Sequence, residues 1–240
     1  MSGHSKWSTI KRQKETADKK RGMVFSKLAK AISIAAREGA DPESNFKLRL
    51  AVEKAKQANM PKDNIGRALR RAQGKLAEMR FEEAVYEGYG PAGIAVMAEA
   101  VTDNKNRTTS EIKNIFERGG GRLAGPGAVA YQFGKVGMIT VKKPEKVEEA
   151  ILSIIDMGVE DVEEAVDAIE VFTRPGKLDD TAKKLQETNF SVQDKELVMR
   201  PKAIVKITEG EKKEKILKFM DILEAHDDVQ KVFANFDLVE

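Results

Sequence analysis

From Met23 the apolar positions follow a helical period: Phe25, Leu28, Ala29, Ile32 and Ala36 share one face, and the run stops at Gly39. A second helix is expected with Asp41 as N-cap and Pro42 as its first residue, burying Phe46, Leu50, Ala51, Ala55 and Ala58 and ending at Asn59. A third restarts at Pro61, buries Ile65, Ala68, Leu69 and Ala72, and ends near Gly74.

Beyond Gly74 the pattern turns to strands. A loop from Glu87 to Gly93 leads into a strand over 94–101, a helix over 104–118, a loop over 119–127 and a strand over 129–133. A strand over 138–141, a helix over 145–157, strands over 159–165 and 168–173, a helix over 176–188 and a strand over 190–199 then read β-α-β-β-α-β, the ferredoxin-like order. The remaining strand (203–208), helix (211–226) and strand (230–236) match the β-α-β half that precedes residue 135. The fold class expected is therefore multi-domain α and α+β. A basic arm and three-helix domain (1–80) is followed by two ferredoxin-like α+β domains, one of which (135–200) is inserted into the other (81–134 with 201–240).

Charge sharpens this division. Residues 1 to 80 carry 20 Lys/Arg against 8 Asp/Glu, while residues 81 to 240 carry 22 against 31, so the whole-chain +3 hides two bodies of opposite sign. A dense cationic block on helices ahead of acidic α+β material suits a phosphate-binding head, which makes nucleic acid the first candidate partner. Arg67, Arg70 and Arg71 stand at i, i+3 and i+4 on the third helix and emerge on one side. The segment Gly3 to Arg21 sets Lys6, Lys11, Arg12, Lys14, Lys19, Lys20 and Arg21 around a lone Trp7, which suits an arm that folds on binding. These residues, with Lys62, form the expected nucleic-acid surface. Trp7 and Tyr89 have ring faces on which bases stack, although each taken singly fits a packing role better.

Several chemistries find no support. Without cysteine there is no thiolate nucleophile and no Cys-based metal site, and with only His4 and His226 there is no His-rich one. No run approaches the roughly 18 apolar residues of a membrane helix, and a cytoplasmic location without membrane contact is expected. Gly119-Gly120-Gly121-Arg122-Leu123-Ala124 fits G-x-G-x-x-A, but it follows a helix and precedes a strand, the reverse of a dinucleotide site, and reads as a loop. Residues 145–170 hold ten Asp/Glu with Lys146 as the one opposing charge, so a metal-dependent nuclease is a further alternative. Glu163, Glu164 and Asp167 nonetheless lack a converging His or Lys. Thr102 to Thr108 lies between a strand and a helix, where Thr102 or Asp103 suits a cap. Asn106 and Arg107 at that helix start suit an anion or a partner's backbone.

Specific strings carry a resemblance. Gly3-His4-Ser5-Lys6-Trp7 with Ile10-Lys11, Asp18-Lys19-Lys20-Arg21, Asn59-Met60-Pro61-Lys62-Asp63-Asn64-Ile65, Glu87-Gly88-Tyr89-Gly90-Pro91 and Thr102-Asp103-Asn104-Lys105-Asn106-Arg107-Thr108 closely resemble the YebC family, in order and over essentially the whole chain. These bacterial proteins are related to the mitochondrial translational activator of cytochrome oxidase I. The resemblance implies a helical N-terminal domain, two α/β domains, no enzymatic activity and no cofactor. YebC-like proteins are described as DNA-binding transcriptional regulators, and some look like ribosome-associated factors that ease translation through proline runs. The expected function is thus a non-enzymatic, nucleic-acid-binding regulator. RNA on the ribosome is favoured because the third helix offers phosphate contacts and few base readers, and a DNA-binding transcriptional regulator is the alternative. Tyr89, Asn104, Asn106 and Arg107 are expected to present a second contact surface. Oligomeric state is not legible.

Overall fold

The computed structural model describes residues 21–72 and 81–239. They divide into two compact units, one containing the residues up to 130 with 210–234, the other 131–209 with 235–239.

The first unit opens with three helices, α1 (Arg21–Ala35), α2 (Phe46–Gln57) and α3 (Lys62–Ala72). Ile32, Leu48, Ala55 and Ala68 form their shared core, with Phe25, Leu28 and Leu69 packed against it. Helices this short are marginal alone, so the apolar face marked by the helical period is what holds them. One start differs from expectation. Asp41 and Pro42 lie in a turn, where the N–H groups of Ser44 and Asn45 donate to the Asp41 carbonyl. The cap of α2 is Asn45, whose Oδ1 accepts from the Leu48 N–H at 3.1 Å. Its Nδ2 donates to the carbonyls of Ala35 and Gly39, each at 2.7 Å. One buried side chain closes the end of α1 and opens α2, so the helix begins where that double contact is possible.

Next come β1 (Glu82–Tyr89) and β2 (Ala95–Thr102), an antiparallel hairpin closed by a 3-10 turn at Pro91–Gly93. Of the string expected to be a loop, residues 90–93 make the turn, and residues 87–89 are the end of a strand. Its glycine serves close approach: a Cβ on Gly88 would lie 2.5 Å from the Arg122 carbonyl oxygen and 2.6 Å from the Phe116 ring. The neighbour it meets is β3 (Arg122–Ala124), reached through α4 (Lys105–Arg118) and paired with β1. The expected loop over 119–127 therefore contains an edge strand. Gly88→Ala is expected to destabilise the protein by about 2 kcal/mol or more, measured as a lower urea midpoint. An unchanged midpoint would mean that β1 and β3 do not approach this closely.

The second unit contains β4 (Phe133–Lys142), α5 (Val147–Ile155), β5 (Asp161–Glu164), β6 (Ala168–Thr173), α6 (Leu178–Glu187) and β7 (Val192–Pro201). Their sheet has the order β5-β6-β4-β7 with every pair antiparallel, which is the ferredoxin-like arrangement. The strand expected over 129–133 is instead a 3-10 turn at Ala130–Gln132 after a buried Val129. After β8 (Val205–Ile207) the chain returns to the first unit as α7 (Gly210–Glu224) and β9 (Val229–Ala234). There the order β3-β1-β2-β9 places the hairpin in the middle and the other two strands at the edges, unlike the ferredoxin order. β8 does not join that sheet; it pairs in parallel with β10 (Phe236–Leu238) in the second unit. The last expected strand is consequently broken at Asn235, whose carbonyl accepts from the Val205 N–H at 2.7 Å. In the first unit Phe116 of α4 meets Phe219 of α7 edge to face at 5.1 Å, which packs the two helices together.

Candidate nucleic-acid interface

Lys62, Arg67, Arg70 and Arg71 are all exposed on α3, away from its buried Ile65 and Ala68. Arg67 Nη2 donates to Asn64 Oδ1 at 2.6 Å. Among the described residues no carboxylate pairs with any of the four. Lys6, Trp7, Lys11, Arg12, Lys14, Lys19 and Lys20 lie outside the described residues, and Arg21 opens α1.

The string from Thr102 to Thr108 turns out to be an anchor. Asn104, not Thr102 or Asp103, caps α4, its Oδ1 accepting from the Arg107 N–H at 3.1 Å, while Thr102 Oγ1 accepts from the Asn104 N–H at 2.9 Å. Arg107 Nη2 bridges Asp103 at 2.8 Å and Asp228 at 2.9 Å. Asp228, with its side chain 3% exposed, also receives Lys30 Nζ at 2.6 Å and the Thr108 hydroxyl at 2.6 Å. Burial alone would push the Asp228 carboxyl up. Lys30, Thr108 and Arg107 outweigh it and hold the group well below the ordinary carboxylate range. Lys27 Nζ donates to the Glu224 carbonyl at 2.6 Å, so α1 is fastened beside the turn that carries Asp228 by two lysines. Of the expected second surface, Asn104 and Arg107 take part in this anchor while remaining exposed, and Asn106 is exposed as well.

Tyr89 is half-buried, its hydroxyl donating to the Ala128 carbonyl at 3.2 Å. Beside it the buried Glu87 carboxylate accepts the N–H groups of Gly127, Val129 and Ala130 at 2.8, 2.9 and 2.8 Å. Burial raises its pKa, but the three donors outweigh that and hold the carboxyl below its ordinary value. Glu87→Gln puts an amide N–H where a backbone donor points, and should cost about 2 kcal/mol. The check is urea unfolding at neutral pH; equal midpoints for both proteins would show that the charge does not hold this loop.

Carboxylates of the acidic run meet cations across strands: Lys143 reaches Glu164 at 2.5 Å, and Arg200 reaches both Asp161 and Glu163 while lying over the Phe172 ring. Among the described residues the one group with metal-ligand spacing is elsewhere, Glu111, His226 and Asp228. There His226 Nδ1 accepts the Asp228 N–H at 3.1 Å, leaving Nε2 to donate to Glu111 at 2.9 Å. With the Asp228 oxygens held by Lys30, Arg107 and Thr108, the cluster is a hydrogen-bond relay and not an open ligand set.

Alongside the anchor an open groove of about 1220 Å³ runs between α4 and α7, with Ser26 and Lys30 of α1 on its wall. Asp103, Arg107, Glu111 and His226 line one end, and Arg118, Lys215 and Lys218 line the other. No helix among the described residues is long and apolar enough to cross a membrane.

Residues 5–75 match the model of the TACO1/YebC protein N-terminal domain, and residues 81–236 match that of the TACO1/YebC second and third domain. The chain belongs to the TACO1/YebC family. Among its relatives, a protein of Natranaerobius thermophilus called a probable transcriptional regulatory protein is 46% identical, with 99% of this chain and 97% of that protein aligned. One of Geobacter sulfurreducens with the same description is 44% identical over 99% and 96%. The crystal structure of a conserved hypothetical protein from Aquifex aeolicus superposes with a TM-score of 0.86 at 41% identity, covering 93% of each chain. Within this TACO1/YebC framework Lys30, Glu87, Thr108 and Asp228 are residues that sequence spacing did not single out. Nothing in a local string announces that an aspartate at 228 will close on Thr108.

Proposed function

We propose that the protein is a non-enzymatic regulator of gene expression that binds nucleic acid through the cationic face of α3 together with its basic arm, and that RNA on the ribosome is its partner. One observation carries the reading: Lys62, Arg67, Arg70 and Arg71 are held exposed on α3 without a described carboxylate partner. Like charges at i, i+3 and i+4 repel by a few tenths of a kcal/mol per pair, a strain that phosphate relieves. RNA is favoured over DNA because these are phosphate-type contacts. Asn64, the one amide on the described part of α3, accepts from Arg67 through its Oδ1, and Gln73 lies outside the described residues. The family resemblance supplies the activity, easing synthesis through proline runs. Asn104, Asn106 and Arg107 of the second contact surface are all exposed, and Asn106 is the one whose side chain takes no part in the anchor.

The relatives' printed names favour a second reading, a DNA-binding transcriptional regulator. Crosslinking the protein to nucleic acid in cells, together with ribosome sedimentation, separates the two. Reads dominated by ribosomal RNA are expected. Enrichment at promoter DNA, with no change in elongation through a proline run in a reconstituted translation reaction, would replace the RNA reading with the DNA one.

A further inference from the structure

We infer that the groove between α4 and α7 is a second nucleic-acid site, shaped for a short single-stranded stretch and not for a duplex. The inference rests on the nucleic-acid reading of α3 and extends it to a different pair of helices. At one end of the groove carboxylates outnumber cations, with Asp103, Glu111, Asp227 and Asp228 against Lys30 and Arg107, so this end turns phosphate away. At the other end cations are in excess. Lys215 pairs only with the exposed Glu211, at 2.9 Å, while Arg118 and Lys218 meet no carboxylate among the described residues. Between the ends the lining is apolar, with Ile115 half-buried, Ala225 exposed and Ile222 47% exposed, beside the exposed amide of Asn114.

Cations for phosphates beside an apolar floor for base faces suit an unpaired strand bound with little sequence preference, with aliphatic Ile222 and Ala225 here in the place that aromatic rings take in many single-strand sites. A duplex keeps its base faces stacked inside and has nothing to lay on such a floor, whereas an unpaired stretch does. Size agrees. The groove's 1220 Å³ exceeds the roughly 300 to 1,000 Å³ typical of small-molecule sites.

The test titrates the full chain with fluorescent hexauridylate and, separately, with a short RNA duplex. Arg118→Glu combined with Lys218→Glu should weaken hexauridylate binding about tenfold and reduce its salt slope by about 1.4, leaving duplex affinity within about twofold. Unchanged hexauridylate affinity, or equal loss for both probes, would overturn the site. If the charge reversals do not fold, Ile222→Asp removes the floor and should give the same selective loss. Binding of an oligoglutamate peptide in place of hexauridylate would also overturn it, in favour of an acidic protein segment. The α3 variant with Arg67, Arg70 and Arg71 changed to Glu keeps the two readings apart. Its loss of duplex binding tests α3, and the groove stands or falls on hexauridylate alone.

Discussion

Changing Arg67, Arg70 and Arg71 together to Glu is expected to lower nucleic-acid affinity by about a hundredfold or more at physiological salt, since three phosphate contacts become three repulsions. The protein should stay folded, because the three side chains are exposed and Ile65 and Ala68 carry the packing of α3. A modest loss, no more than about 1 kcal/mol, comes from placing acids in the last helical turn, where Arg70 and Arg71 now complement the dipole. Wild-type affinity in the triple variant would remove α3 from the interface. A collapse of the melting temperature would make these arginines structural.

The largest effect on stability is expected from Asp228→Asn. The substitution keeps the shape and the hydrogen bond to Thr108 but leaves Lys30 and Arg107 facing a neutral amide. Removing one partner of a buried ion pair costs about 3 to 5 kcal/mol. Because Arg107 reaches water, about 3 kcal/mol is the appropriate figure, or roughly 6 to 12 °C in a chain of this size. The effect has a pH signature. Asp228 is held below its unfolded value, so its contribution is fully present above about pH 4 and is lost as pH falls through the folded value. The gap between wild type and variant should therefore be constant near neutrality and narrow in acid. A gap that does not narrow would mean that the carboxylate charge is not what Lys30 and Arg107 hold.

The helices were legible because their signals are local and periodic, and the core of Ile32, Ala55 and Ala68 lies on the face that their spacing marks. The cap of α2 was not. Asp41 is as good a cap as Asn45, and what selects Asn45 is the end of α1, with the Ala35 and Gly39 carbonyls 2.7 Å from its Nδ2. Glu87-Gly88-Tyr89-Gly90-Pro91 carries every mark of a turn, yet most of it is strand, because Gly88 is small for the sake of Arg122 on a neighbouring strand.

By itself the sequence determined the division into helical and α+β material, the opposite charges of the two halves, the family, and the cationic row of α3. Each depends on composition or on residues within a turn or two of one another. Only the tertiary structure decided that Arg107 and Asn104 belong to an anchor, that Asp228 closes on Lys30 and Arg107, that β8 leaves the first unit's sheet, and that α4 and α7 leave a groove between them. These depend on which distant segments share a sheet or face one another across packed helices. Pairing across some 30 to 200 residues leaves no period in the chain, because the partners meet only after the strands between them have chosen their order.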